Sequence, residues 1–178
     1  RGDCHLHSLW SDGGATIEAM ARTARSLGHE YMVLTDHSPR LTVAHGLSKE
    51  RLEQQLADVA VLNEKMAPFR ILTGIEVDIL EDGTLDHDDA VLAELDVVVA
   101  SVHSKLRMER RPMSERMVRA VASPHVDILG HCTGRMIGKR DPSTFDADYV
   151  FAACAQFHTA VEINCRPERL DPPRPLLQ

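Results

Sequence analysis

The chain has 178 residues, of which 43% are hydrophobic and 26% are charged, and its formal net charge is −7. This length suits one domain with a sizeable core, and the composition is ordinary for a soluble globular protein. The negative net charge argues against a surface that binds nucleic acid non-specifically. It does not exclude a local basic groove, because many of the arginines lie between Arg107 and Arg174. No apolar run approaches the roughly 20 residues of a membrane helix, and no signal peptide is recognisable.

Cysteine and histidine content narrows the class of protein further. The four cysteines show neither CxxC spacing nor the density of a disulfide framework, which favours reduced thiols and a cytoplasmic location. Histidine is unusually frequent, with ten residues in a chain that has one Trp and two Tyr. Because the chain begins without Met and ends at Gln178 in mid-pattern, we expect a single domain over residues 1–178 that is truncated at both ends.

Strands and helices are predicted to alternate along the whole chain. Strands are predicted at residues 2–7, 31–35, 70–75, 95–102, 126–130 and 159–163. Helices are predicted to begin after the capping residues Thr16, Ser48, Ser114 and Asp146, with a short additional helix at 88–94. Gly28 is expected to end the first helix, and the turn at 81–84 predicts a small hairpin.

The apolar strands indicate the fold class. Their hydrophobic runs are too continuous for half-exposed strands, which is typical of parallel strands covered by helices on both faces. Successive strands end about 30 residues apart, which is the length of a strand–helix–strand unit. The pattern therefore predicts an α/β fold, a βα barrel that is cut short after its sixth strand.

Polar side chains follow these strands at the points where the strands end. His5 and His7 are two residues apart, so they lie on one face of the first strand. In a βα barrel the carboxyl ends of all strands face one rim, where active sites are built. The residues that we expect to converge at this rim are His5, His7, Asp12, Asp36, His37, Glu76, His103 and His131.

These side chains predict a metal site. Imidazole and carboxylate ligands without obvious thiolates suit Zn, Mn or Fe. The set holds more ligands than one ion needs, and Glu76, as the central carboxylate, is placed to bridge two ions. Two ions that share a hydroxide form a recognised arrangement for attack on phosphate esters.

Several short motifs resemble those of the PHP (polymerase and histidinol phosphatase) domain family, and the resemblance covers essentially the whole chain. The motifs are His5-Leu6-His7, Ser11-Asp12-Gly13, Thr35-Asp36-His37, Gly74-Ile75-Glu76-Val77-Asp78, Ala100-Ser101-Val102-His103 and Gly130-His131. Within the family, the segments 43–47, 76–86 and 133–140 are most similar to the PHP domain attached to bacterial family X DNA polymerases.

The resemblance implies a distorted (β/α)7 TIM-like barrel, here without its last strand, and a trinuclear metal centre. It implies that His5, His7 and Glu76 hold the first metal, and that Asp12 and His37 hold the third. Glu76 would also bridge to the second metal, which His103 and His131 would hold. The family completes the first and third sites with an Asp-x-His pair after its last strand, and we expect that pair just beyond Gln178.

The resemblance also implies in-line attack of a metal-bridging hydroxide on phosphorus, with Glu76, His103, His131 and Asp12 as the catalytic residues. Basic residues close to the predicted ligands are candidates for contacts with phosphate, although a solvated surface charge explains each of them equally well. They are Lys105 and Arg107 after His103, and Arg135, Lys139 and Arg140 after His131. His45 is a further candidate for substrate contact, because its loop lies on the same rim.

Other polar residues receive structural interpretations. We expect Asp36 to orient His37 or a neighbour rather than to bind metal. Cys132 replaces a proline that is usual in the family, and we expect it to pack as a small apolar residue, with a role as an extra ligand as the alternative. Asn164 lies at a strand end and is a candidate to line the site. The histidines interpreted as structural are His29, His87, His125 and His158.

Three functions remain open at this point. The leading hypothesis is a phosphoesterase with two to three divalent ions that processes DNA 3′ ends as a 3′→5′ exonuclease, with a covalently linked polymerase domain as a partner and no membrane contact. The alternative is histidinol phosphatase or another small-molecule phosphomonoesterase, which would use the same ligands. A metal-stabilised scaffold without catalysis is the third hypothesis, and the intact ligand set argues against it.

Overall fold

The computed structural model describes residues 1–177, in which strands and helices alternate. The strands are β1 (Gly2–Leu6), β2 (Tyr31–Leu34), β3 (Arg70–Asp78), β4 (Val97–Ser101), β5 (Ile128–Leu129) and β6 (Ala160–Val161). The helices are α1 (Ile17–Ser26), α2 (Lys49–Met66), α3 (Asp89–Leu92), α4 (Arg110–Val121) and α5 (Ala147–Phe157), with short 3-10 helices at Thr42–Ala44 and Arg174–Leu176. The strand order follows the chain from β1 to β6.

The chain divides into two compact units, and each is described separately. Unit 1 comprises Arg1–Val77 and His87–Val98, and unit 2 comprises Asp78–Asp86 and the chain from Val99 onward. The expectation that residues 1–178 form a single domain stays a prediction. No helix within residues 1–177 is long and apolar enough to cross a bilayer.

Unit 1 is built on three parallel strands. Strand β2 lies between β1 and β3, and Met32 is opposite Asp3 on one side and Ile71 on the other. Helices α1 and α2 begin where the sequence predicts, because Thr16 accepts a hydrogen bond from the Ala19 amide and Ser48 accepts one from the Arg51 amide. Their apolar faces and the strands share a core of buried residues that includes Ile17, Ala21, Met32, Leu34, Val59 and Ile71.

Unit 2 contains the other parallel strands. Ile128 of β5 is opposite Val99 of β4 and Ala160 of β6. Helix α5 begins after Asp146, whose carboxylate accepts a hydrogen bond from the Tyr149 amide as the sequence predicts. The buried apolar residues of this unit include Val99, Met113, Met117, Val121, Leu129 and Val150.

The predicted start of α4 is wrong. The helix begins at Arg110, and Ser114 lies inside it, where its hydroxyl donates to the Arg110 carbonyl at 2.7 Å and accepts from the Asp146 amide at 2.7 Å. Pro112 occupies the first turn of this helix, where an amide hydrogen has no partner within the helix. Ser114 therefore joins two helices instead of capping one.

The close approach of neighbouring strands at Gly74 gives a stability test. A Cβ at this position of β3 would lie 2.7 Å from the Val97 carbonyl oxygen and 3.0 Å from the Leu34 carbonyl oxygen. We expect Gly74→Ala to lower the free energy of unfolding by about 3 kcal/mol, because backbone must move to admit the methyl group. Gly14→Ala is the control, since a Cβ there meets no atom within 4 Å. Urea unfolding measures both, and equal stability of the two variants would contradict the packing described.

Candidate metal centre

Five predicted ligands of unit 1 come together at the ends of its parallel strands. We call them the unit 1 cluster: His5, His7, Asp12, His37 and Glu76. His5 lies in β1 with His7 immediately after it, Glu76 lies in β3, and His37 follows β2. Because parallel strands end at the same edge, residues far apart in the sequence become neighbours here.

Glu76 is the buried centre of this cluster, with a side chain that is 1% exposed. One carboxylate oxygen, Oε2, lies 3.3 Å from His5 Nε2, 3.5 Å from His7 Nε2 and 2.9 Å from His37 Nδ1. A buried carboxylate is stable only when it is paired, and three imidazoles from the ends of β1 and β2 surround this one.

Asp12 adds a second carboxylate, which is half exposed to solvent. Its Oδ1 lies 3.7 Å from His7 Nδ1 and 3.5 Å from His37 Nε2. The rings of these two histidines are stacked, with centroids 4.3 Å apart and an interplanar angle of 23°. His7 and His37 therefore each have one nitrogen near Glu76 and the other near Asp12.

The environment of His7 keeps its imidazole neutral. Burial is the largest influence and lowers the pKa of His7 from 6.5 to about 4. Glu76 and Asp12 act in the opposite direction, whereas the neighbouring His37 and His5 help to lower this pKa. A neutral imidazole has a free lone pair at neutral pH, which is the form that binds a metal ion.

The donor atoms of unit 1 fit divalent metal ions. His5, His7 and Glu76 each offer one ligand atom, and these atoms lie within 4.8 Å of one another. His7, Asp12 and His37 form a second group with the same property. Nitrogen and carboxylate oxygen donors suit Zn, Mn or Fe, so the composition of both groups agrees with the predicted metals.

Asp36 organises the loop that joins His7 to Asp12. Its carboxylate is fully buried and accepts hydrogen bonds from the amide of Ser8 at 2.8 Å, the amide of Ser11 at 3.2 Å and the Gln55 side chain at 2.7 Å. The hydroxyls of both serines donate to the same carboxylate. Asp36 therefore positions the neighbouring loop, whereas its predicted role in orienting His37 stays a prediction.

Unit 2 contains the other two predicted ligands. His103 follows β4 and His131 follows β5, and their ring centroids are 5.2 Å apart at an interplanar angle of 71°. The backbone amide of His131 donates a hydrogen bond to Glu162. The two imidazoles thus form a histidine pair at adjacent strand ends.

Asp78 is a functional candidate to which sequence reasoning gave no role. Its buried carboxylate accepts a hydrogen bond from the His103 amide at 3.1 Å, and the same oxygen, Oδ1, lies 3.3 Å from His103 Nδ1. A carboxylate at Nδ1 holds the proton there and leaves the Nε2 lone pair for a metal. The signal in the sequence was a second carboxylate two residues after Glu76 in an otherwise apolar strand.

Some of the residues that are predicted to contact substrate already form hydrogen bonds within the protein. Arg135 donates Nε to the Arg169 carbonyl at 2.8 Å and Nη2 to the Leu170 carbonyl, so it supports the C-terminal segment. Arg140 donates Nε to the Gly134 carbonyl at 2.7 Å. Lys105 is exposed in a turn with positive φ. Contacts of all three with substrate stay predictions.

Three other predicted positions can be placed in the same way. His45 has a φ of 56°, and its carbonyl accepts a hydrogen bond from Arg51. Cys132 is buried, and burial raises the pKa of its thiol, which agrees with a packing role. Asn164 forms a backbone bridge with Asp171. Among residues 1–177, the groups of possible metal ligands do not include His29, His87, His125 and His158.

The position of Asp78 predicts a loss of metal affinity. Asp78→Asn should weaken Zn binding that depends on His103 by about 10-fold to 100-fold, because Nδ1 loses its carboxylate partner. Calorimetric titration with Zn measures the affinity, and ¹⁵N chemical shifts of His103 in the metal-free protein report which nitrogen carries the proton. Asp148→Asn, an exposed change in α5, is the control. An unchanged affinity and an unchanged tautomer would contradict the assigned role.

The lowered pKa of His7 predicts a pH dependence of stability. Between pH 6.5 and about 4 the unfolded chain protonates this imidazole and the folded chain does not. The unfolded state then binds more protons, so the free energy of unfolding should fall with decreasing pH, by up to about 3 kcal/mol from this residue.

Urea unfolding across this pH range, in the presence of a chelator, measures the effect. His7→Asn should flatten the dependence, whereas His158→Asn, an exposed position in the left-handed region where Asn is tolerated, should leave it unchanged. Equal slopes for His7→Asn and the parent chain would refute the explanation.

Comparison with known proteins places this site in context. A family model described as the PHP domain matches residues 3–163. DNA polymerase/3′-5′ exonuclease PolX of Bacillus subtilis is 47% identical over 171 residues, which are 96% of this chain and 30% of that protein. A probable phosphatase of Thermoanaerobacter sp. is 33% identical over 170 residues, which are 91% of this chain and 63% of that protein. The chain therefore spans less than two thirds of either relative.

A solved structure gives an independent comparison of the fold. Histidinol phosphate phosphatase of Lactococcus lactis, determined with zinc, L-histidinol and phosphate, matches with a TM-score of 0.61 and 19% identity, over 94% of this chain and 74% of that chain. At this identity the likeness shows the fold alone, and it confirms the predicted α/β class, a distorted TIM-like barrel without its last strand. The predicted resemblance to the domain of bacterial family X polymerases is confirmed by the PolX relative. The chain belongs to the PHP domain family.

Proposed function

We propose that the chain is a metal-dependent phosphoesterase that hydrolyses phosphoric ester bonds. The observation that carries this proposal is the placement of the buried Glu76 carboxylate within 3.5 Å of imidazole nitrogens of His5, His7 and His37. Such a concentration of imidazoles around a buried carboxylate has few uses other than metal binding. Divalent ions, when bound, neutralise charge on a phosphate and lower the pKa of water.

The proposed ligand sets follow the groups of donor atoms. One ion would be held by His5, His7 and Glu76. A second ion would be surrounded by His7, Asp12 and His37. The histidine pair His103 and His131 of unit 2 offers two further nitrogen donors. We propose two to three ions of Zn, Mn or Fe in total, and the zinc in the histidinol phosphate phosphatase of Lactococcus lactis supports this choice.

The chain's own residues differ in what they would do during the reaction. Glu76 is 1% exposed and would act as a fixed negative charge that holds the imidazoles in place. The Asp12 side chain is 50% exposed, so it is the carboxylate of the cluster that water can reach. We propose that Asp12 accepts the proton of the attacking water, and that Asp78 keeps His103 in the tautomer that leaves Nε2 available.

The proposed substrate is the 3′ end of DNA, which would be shortened as a 3′→5′ exonuclease. The identity of 47% with PolX of Bacillus subtilis supports this assignment. Because the chain spans 30% of that relative, a covalently linked polymerase domain is part of the proposal. A cytoplasmic location is proposed as well, since all four cysteines are free thiols.

A small-molecule phosphomonoesterase is the second candidate. The relative from Thermoanaerobacter sp. is named a probable phosphatase, and the structural relative from Lactococcus lactis acts on histidinol phosphate. The net charge of −7 also suits a small substrate better than a long polyanion. Both candidates would use the same ligands, so only the substrate separates them.

Hydrolysis assays with the full-length protein, loaded with Mn or Zn, test the proposal. A 5′-labelled DNA oligomer, histidinol phosphate and an aryl phosphate are compared under identical conditions. We expect stepwise shortening of the DNA, a loss of at least about 100-fold in His103→Ala from removal of one metal ligand, and full activity in the control His125→Ala. Turnover of the small esters alone would favour the phosphomonoesterase. Metal binding without any turnover would favour a scaffold and contradict the proposal.

A further inference from the structure

Unit 2 contains a cavity of about 650 Å³ that the proposed chemistry does not use. One wall is formed by residues 106–110, which follow His103 in the chain, and the other by residues 136–144, which follow His131. The charged residues that line it are Arg107, Glu109, Arg110, Lys139, Arg140 and Asp141. Four cations and two carboxylates give the cavity a positive balance in a chain whose net charge is −7.

Two of the four cations that line this cavity already form contacts with other residues of the protein. Arg110 forms an ion pair with Asp146 at 3.0 Å, and Arg140 donates Nε to the Gly134 carbonyl at 2.7 Å. Arg107 and Lys139 are exposed, and within residues 1–177 Arg107 forms no ion pair. These two side chains are therefore available to a ligand without the loss of an existing hydrogen bond.

The surroundings of Arg140 favour an anionic ligand in this cavity. Burial lowers the pKa of this guanidinium, and the neighbouring Arg169 lowers it further, whereas Asp171 opposes them. Arg140 is exposed, and the positive charges of Arg140 and Arg169 repel one another. An anion in the cavity would relieve that repulsion, because arginine forks bind phosphate oxygens with strong charge-assisted hydrogen bonds.

The size and the lining favour a strand over an isolated phosphate ion. The volume is that of a pocket for a drug-sized ligand, which is much more than one phosphate needs. Leu106, Met108 and Met136 add apolar surface between the cations, which suits sugars and bases between successive phosphates. A ligand with several phosphates and apolar groups between them has the chemistry of a nucleic-acid strand.

We propose that this cavity binds the phosphodiester backbone of a nucleic-acid strand, with Arg107 and Lys139 as the main phosphate contacts. The inference rests on the proposed function and adds a site that would favour DNA over small phosphate esters. The two walls begin three residues after His103 and five residues after His131, so a strand held here would lie along the segments that continue from those residues. A small monoester has no second phosphate for the cavity, so its hydrolysis should not depend on these cations.

The double variant Arg107→Ala/Lys139→Ala of the full-length protein tests the proposal. We expect kcat/KM for a single-stranded DNA oligomer to fall about 10-fold or more, with kcat/KM for p-nitrophenyl phosphate within about twofold of the parent. Fluorescence anisotropy with chelator present, which prevents cleavage, should show a weaker affinity for the same oligomer. The slope of log affinity against log salt should decrease by about 1.4, because two phosphate contacts are lost.

The double variant Arg22→Ala/Arg111→Ala is the matched control. It removes the same two charges from exposed helix positions, where Arg22 pairs with Glu18 at 2.7 Å and Arg111 pairs with Glu115 at 2.8 Å. Arg111 is the sequence neighbour of Arg110 but does not line the cavity. Equal losses in the two double variants would mean that net charge, and not the cavity, attracts DNA, and this result would overturn the proposal.

The two assays also separate this inference from the proposed function. If the parent chain hydrolyses only small esters, but its affinity for the oligomer falls in Arg107→Ala/Lys139→Ala alone, the exonuclease proposal fails and the cavity proposal stands. If the parent shortens DNA and this double variant is unaffected in both assays, the cavity proposal is overturned and the exonuclease proposal stands. An equal loss on DNA and on p-nitrophenyl phosphate would also overturn the cavity proposal.

Discussion

The site of unit 1 depends on one interaction, between the buried carboxylate of Glu76 and the imidazoles that surround it. Burial of a carboxylate whose side chain is only 1% exposed costs free energy unless polar partners surround it. The partners of Glu76 come from the ends of β1 and β2. That requirement fixes which strands must be neighbours, and all three strands must point the same way. The packing of α1 and α2 on these strands stabilises an arrangement that the polar residues alone would not hold.

Two other buried carboxylates show how environment assigns different roles to one chemical group. Asp36 receives hydrogen bonds from amides and hydroxyls of the loop between His7 and Asp12, so it fixes backbone. Asp78 contacts the amide and the ring of His103, so it fixes a side chain. Neither carboxylate has to bind a metal in order to matter for metal affinity, because each determines where a ligand atom lies. The arginines divide similarly, since Arg135 binds carbonyls while Arg107 stays available.

Much of the fold and of the unit 1 cluster was predictable from local patterns. The caps of three helices, at Thr16, Ser48 and Asp146, were predicted correctly because a capping side chain bonds amides only three residues away. The histidines at strand ends were recognisable because buried strands are visible in the sequence, and parallel strands bring their ends together. Ser114 was misread because its hydroxyl contacts Asp146, which lies 32 residues further along the chain.

The sequence by itself thus determined the order of strands and helices, the residue types at the strand ends and the family. Only the tertiary structure decided how individual groups are used. The role of Asp78 depends on a contact across 25 residues, and the engagement of Arg135 depends on carbonyls more than 30 residues away. The lowered pKa of His7 depends on burial and on charges from two other strands. Such properties arise from neighbours in space, and a pattern read along the chain contains information mainly about neighbours in sequence.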